Sequence, residues 1–167
     1  MSRFFPHTAY AEDQPLYHTV LTAHVLYRGF QAGAVVGTGV GLVRSVVKAI
    51  PKNSNASMLP SWLALQRSAG VGSVFGIGAM MVALPLRMFD KEEIEWKDRS
   101  WRLLESKGQL AVDDWSLTGT ALLPIFMYLT KREGGQLGWR IAMGRAGIGS
   151  MVGIAGYLLQ SKFSTSN

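Results

Sequence analysis

The sequence predicts an all-α membrane protein with four glycine-rich transmembrane helices and a charged amphipathic helix between helices 2 and 3. Three observations predict it. Charged residues make up 17% of the chain, against about 25% in an ordinary soluble domain, and they are gathered into blocks. Between the blocks lie uncharged runs at residues 29–43, 68–86, 115–130 and 146–161, of 15, 19, 16 and 16 residues. Glycine supplies 19 of 167 residues, against a usual ~7%, and it recurs at helical spacing within those runs.

A helix needs about 20 residues to cross a ~30 Å hydrocarbon core. The runs fall a little short, but basic residues at their ends can extend each one by reaching the interface along their aliphatic stems. The expected spans are residues 19–50, 62–89, 114–130 and 139–161; the third is short and carries Pro124. A soluble helical bundle is the competing architecture. It would need an amphipathic stripe on each helix, and none of the four runs has a polar face.

Residues 1–18 read as an extended N-terminal arm, with Pro6, Pro15 and no clear period. The arm lacks the apolar core of a secretory signal and the Arg-rich, acid-poor character of a mitochondrial presequence, so any targeting signal is expected to be internal. Helix 1 ends near Ile50, where Pro51 and a polar run begin a loop. Helix 2 starts around Trp62 and runs to about Phe89, with Pro85 near its end.

The strongly charged block that follows carries four opposite-charge pairs at i,i+4 spacing: Lys91–Glu95, Glu93–Lys97, Glu95–Arg99 and Asp98–Arg102. Each stabilises a helix by only ~0.2–0.5 kcal/mol, yet all four favour the same state. They predict an interfacial helix over residues 90–107. Ile94, Trp101 and Leu104 fall on one narrow face, and Trp96 adds a second indole, a group that favours half-wet surfaces. These four residues are the candidates for partner docking. Gly108 offers a C-terminal stop, and Asp113, Asp114 and Ser116 offer N-caps for helix 3. A polar tail, residues 162–167, closes the chain.

Gly29, Gly33, Gly37 and Gly41 stand four residues apart in helix 1, with echoes at Gly72 and Gly76 in helix 2 and at Gly149 and Gly153 in helix 4. In water each glycine would weaken a helix by roughly 1 kcal/mol relative to alanine. In lipid, small residues at this spacing let two backbones approach closely. The eight glycines are therefore candidate helix-packing residues, either within one bundle or against another subunit.

Several chemistries are excluded or disfavoured. The chain has no cysteine, which removes disulfides, thiolate metal sites and iron–sulfur clusters. GTGVG at 37–41 and GVGSVFG at 70–76 fit neither phosphate-loop pattern and follow no predicted strand. His7, His18 and His24 lack metal-ligand spacing, and no serine sits in a nucleophile context. The uncharged runs hold no buried acid or base of the kind carriers use as relays. Arg28, Arg44, Arg67 and Arg145 stand at the expected boundaries, opposite lipid phosphate. No catalytic, cofactor-binding or metal-ligating residue is nominated. The net charge of +6 flanks apolar runs, which suits anionic head groups better than nucleic acid. Arg44, Lys48 and Lys52 are candidates for holding a phospholipid such as cardiolipin. Loops 1 and 3 are net basic and loop 2 is net acidic, which orients both tails and loop 2 to the outer side.

The four glycine-rich spans with an apolar–basic first loop resemble the inner-membrane translocase channel family. Its relatives include a four-helix accessory subunit of mitochondrial respiratory complex I. The segment EIEWKDRSWRLLESKGQLAVDDWS, residues 93–116, is similar to the fungal membrane accessory subunits of complex I of the NUXM type. The resemblance implies a non-catalytic accessory subunit of the mitochondrial inner membrane. Such a subunit would pack on the membrane subunits of NADH:ubiquinone oxidoreductase in a hetero-oligomer, support assembly of the membrane arm and have phospholipid bound. The tails and loop 2 would then face the intermembrane space. A component of the inner-membrane protein import translocase is the alternative that shares this architecture, and a small membrane transporter or enzyme is the alternative of another class.

Overall fold

The structure is a computed structural model that describes residues 4–50, 61–130 and 138–165, and among these every regular element is helical. A 3-10 turn at Ala11–Asp13 precedes five helices: α1 (Tyr17–Ala49), α2 (Trp62–Met88), α3 (Glu93–Glu105), α4 (Lys107–Leu129) and α5 (Trp139–Thr165). Three of them are long and apolar enough to cross a membrane, through Tyr17–Lys48 in α1, Trp62–Met88 in α2 and Trp139–Phe163 in α5. α4 falls outside that set, because Asp113 and Asp114 interrupt its apolar character in the second turn.

The glycines explain how these helices meet. α1 and α2 run antiparallel: a Cβ on Gly29 would strike the Gly76 carbonyl oxygen at 2.6 Å, one on Gly33 the Gly72 carbonyl, and one on Gly37 the Ser68 carbonyl. Side chains at these positions would force the backbones apart, so glycine permits the approach and the contact replaces lipid packing. Gly41 continues the line onto the Ser68 side chain, while Gly39 faces open space. The hydroxyl of Ser68 donates to the Gly37 carbonyl at 2.7 Å and ties the two helices together.

α4 and α5 form a second antiparallel pair on the same principle. Gly119 abuts Gly149, and Gly153 abuts the backbone of Trp115. The two pairs join where Gly70 of α2 meets Arg140 and Gly144 at the start of α5, and where Gly147 meets Ala34 and Ser73. Small and polar groups are consequently prominent in the core: Ala34, Ala69, Ser73, Ser150 and Gln66 are all fully buried, alongside larger apolar side chains such as Val20, Phe30 and Ile141.

α3 forms three of its four anticipated ion pairs: Lys91–Glu95 at 3.1 Å, Glu93–Lys97 at 2.9 Å and Asp98–Arg102 at 3.0 Å. Glu95 also accepts from the Glu92 amide at the helix start. Arg99 turns to the Met88 sulfur at 3.3 Å.

One boundary departs from expectation, with consequences for the site. The break between α3 and α4 is the single residue Ser106, whose φ of −74° and ψ of 96° are extended. α4 therefore starts at Lys107, not near residue 114. Gly108 lies in its first turn and stops nothing, and Asp113, Asp114 and Ser116 lie inside the helix instead of capping it.

Candidate functional site

The early start of α4 carries Asp113 into the protein, where it is 1% exposed. Its partners come from one face of α1, on which His24, Tyr27, Arg28 and Gln31 follow at i, i+3, i+4 and i+7. Arg28 Nη2 reaches Asp113 Oδ1 at 2.8 Å, and His24 Nδ1 lies 3.3 Å from Oδ2. His24 Nε2 accepts from Arg28 Nε at 3.4 Å, so the ring proton is assigned to Nδ1, facing the carboxylate. Arg28 Nη1 donates to Gln31 Oε1 at 2.8 Å. One turn further along α4, Ser116 donates to the Asp113 carbonyl, and the Tyr27 hydroxyl bridges Ser116 and Thr120 at 3.2 and 3.0 Å. An ion pair and a chain of hydroxyls thus hold α1 to α4.

A second polar link crosses from α5 to α2. Arg145, 4% exposed, donates through Nε to Gln66 Oε1 at 3.1 Å. The expectation that Arg28 and Arg145 stand at boundaries opposite lipid phosphate is corrected by these contacts. α5 begins six residues before Arg145 and turns it onto Gln66, and Arg28 finds a carboxylate within the protein.

The arm and α3 assemble at the same end as this cluster. Gln14, 1% exposed, donates to the carbonyls of Pro6 and Pro15 and so folds the arm around itself. Trp101 donates from Nε1 to the Thr8 carbonyl at 2.9 Å and stacks on His7 at 5.8 Å. Trp96 meets the His18 ring edge-on at 4.4 Å, and Lys97 sits over Tyr17 at 5.5 Å. The carboxyl of Glu93 is held below its ordinary range by hydrogen bonds, first from Lys97 and then from Tyr17. Of the four docking candidates, Trp96 and Trp101 meet this chain's own arm and α1, Leu104 is buried, and Ile94 remains exposed.

At the opposite end, Arg44 and Lys48 line a cavity of about 540 Å³ in the groove between α1 and α2. Lys52 lies outside the described residues. Arg67 of α2, a boundary arginine expected opposite lipid phosphate, lines the same cavity, as does Arg140 of α5, which was not singled out from sequence. A separate apolar groove of about 640 Å³ runs along α4 and α5, past Trp115, Leu122, Phe126 and Val152.

Among the described residues no group of three or more His, Asp or Glu side chains is placed to hold a metal ion. Asp113 and His24 are turned to each other and to Arg28. These side chains link α1 to α4.

No curated protein and no solved structure matches the chain. The family model described as "Protein of unknown function (DUF1757)" matches residues 12–143, from the 3-10 turn of the arm into α5, and the chain belongs to that family.

Proposed function

We propose that this chain is a non-catalytic accessory subunit of mitochondrial NADH:ubiquinone oxidoreductase, respiratory complex I, supporting assembly and stability of the membrane arm. The observation that carries the non-catalytic part is the closure of Arg28, His24 and Asp113 on one another. Carriers use intramembrane ionisable groups as relays facing a water-filled path; here the same groups are engaged in joining helices. The outward faces suit a subunit surrounded by lipid and protein: Val36, Phe75, Leu86 and Val152 are each more than 60% exposed. The assignment to complex I rests on the resemblance of residues 93–116 to its fungal accessory subunits.

In this reading α4 is the fourth membrane crossing. It runs antiparallel to α5, with backbone contacts from Trp115 to Gly119, so it traverses the same slab as its neighbour. The arm and α3 face the intermembrane space, and the basic ends of α1, α2 and α5 face the matrix, an orientation supported by the net charge of the loops; a count of Lys and Arg alone does not separate the two sides. The protein needs no cofactor of its own, and its partners are the membrane subunits of the complex and phospholipid. A subunit of the protein import translocase is the second reading, because the four-helix, glycine-packed architecture serves either assembly.

Deleting the gene tests the proposal. The expected result is less fully assembled complex, with the remaining complex turning over normally per molecule. A deletion that leaves the complex intact and blocks protein import would assign the chain to the translocase.

A further inference from the structure

We propose that the groove between the C-terminal half of α1 and the N-terminal half of α2 binds an anionic phospholipid. Its phosphate sits among Arg44, Lys48, Arg67 and Arg140, with an acyl chain against the apolar wall below. The inference rests on the chain spanning a membrane and does not depend on which complex it joins.

The argument is one of charge and shape. Arg44 and Lys48 stand one turn apart on α1, Arg67 lies in the second turn of α2, and Arg140 is the second residue of α5. Three helices thus bring four cations to one cavity, and no acid lines it. None of the four is ion-paired among the described residues, whereas Lys91, Lys97 and Arg102 of α3 each have a carboxylate. Four like charges converging on one cavity repel one another unless an anion joins them. Basic pockets between membrane helices are where lipid phosphates settle, each cation adding about 1 kcal/mol of attraction.

The shape identifies the anion as a lipid. Below the cations the cavity is walled by Val40, Val71 and Phe75, and its floor is kept low by Gly37, Gly41 and Ser68. Its volume of about 540 Å³ lies within the roughly 300–1,000 Å³ usual for ligand sites. A free phosphate would need only the rim; the apolar wall continues along the helices as an acyl chain would.

The test uses the full chain purified in detergent, with dioleoylphosphatidylglycerol or dioleoylphosphatidylcholine added at equal concentration and retained lipid counted by native mass spectrometry. The phosphatidylglycerol should be retained at least roughly tenfold better. The double variant Arg67→Gln/Arg140→Gln should lose that preference, while Arg102→Gln, a cation at the far end, should keep it. Arg67, Arg140 and Arg102 are all exposed, and circular dichroism checks that each variant stays helical. Excess inorganic phosphate should leave the lipid in place. Equal retention of the two lipids, equal loss in both variants, or full displacement by inorganic phosphate would overturn the proposal. Because the isolated chain is used, neither result depends on its membership of complex I.

Discussion

Arg28 of α1 and Asp113 of α4 meet at 2.8 Å, the carboxylate 1% exposed and the guanidinium 33% exposed. The asymmetry sets what each loss would do. Removing Arg28 leaves a buried carboxylate with only His24, and breaking a buried pair this way costs about 3–5 kcal/mol. Removing Asp113 leaves a cation that can reach outward along its aliphatic stem, at lower cost. Arg28→Gln should therefore lower the thermal midpoint in detergent more than Asp113→Asn. The double variant should lose less than the sum of the two, because each partner's penalty exists only while the other stays.

The glycine ladder makes a positional prediction. Gly33→Ala and Gly37→Ala each place a Cβ on a carbonyl of α2, and overpacking of this kind costs about 1–3 kcal/mol. Gly39→Ala meets nothing within 4 Å and should stabilise α1 slightly through helix propensity. Leucine at 33 or 37 should impair folding more than leucine at 39. Thermal unfolding of the three pairs checks this, and equal effects at all three positions would mean the spacing carries no information.

Trp101 ties the N-terminal arm to α3 by a hydrogen bond and a ring stack, so its loss should loosen the arm. Trp101→Ala removes the hydrogen bond to Thr8 and the stack on His7. Amide exchange in residues 4–16 should rise well above that of the parent protein, while exchange in α2 and α5 stays unchanged. Trp101→Phe keeps the stack and loses the N–H, and should fall between the two.

Acid should loosen the junction of α3 with α1. The Glu93 carboxyl is depressed by Lys97 and Tyr17, whereas the Lys97 ammonium is raised, chiefly by its hydrogen bond to Glu93. A depressed carboxyl stabilises the folded state above its ordinary value, and that stability is lost as pH falls through the lowered one. A raised ammonium stabilises below its ordinary value, and that part is lost as pH rises through the raised one. The contribution of Glu93 should therefore be lost at the acid end, and the junction should weaken there. The groups are solvent-exposed, so the effect is small. Comparing amide exchange in α3 of the parent protein and Glu93→Gln across acid pH checks it, with Glu93→Gln losing part of the dependence.

Much of this fold is written in charge placement. The uncharged runs lie within α1, α2, α4 and α5, and the i,i+4 pairs mark α3. The polar cluster was harder to read, for a physical reason. Gly108 and the acids at 113 and 114 look like a stop and caps, and a short polar residue before an apolar run ordinarily does cap it. Here tertiary contacts to Asp113 outweigh that local preference, and the helix continues back to Lys107. The spacing of His24, Tyr27, Arg28 and Gln31 did carry the signal, as did Asp113, Ser116 and Thr120 at i, i+3 and i+7. Each stripe lacks meaning until the other is known to face it. Arg140 likewise gains significance only when α5 brings it beside Arg44, Lys48 and Arg67.

The most direct test of the account is where this chain travels in a native gel. Mitochondria of the source organism, solubilised in mild detergent and probed for this protein, should show it in the band that carries NADH dehydrogenase activity. Migration with the import translocase, or alone at the size of a free four-helix protein, would contradict the assignment to complex I.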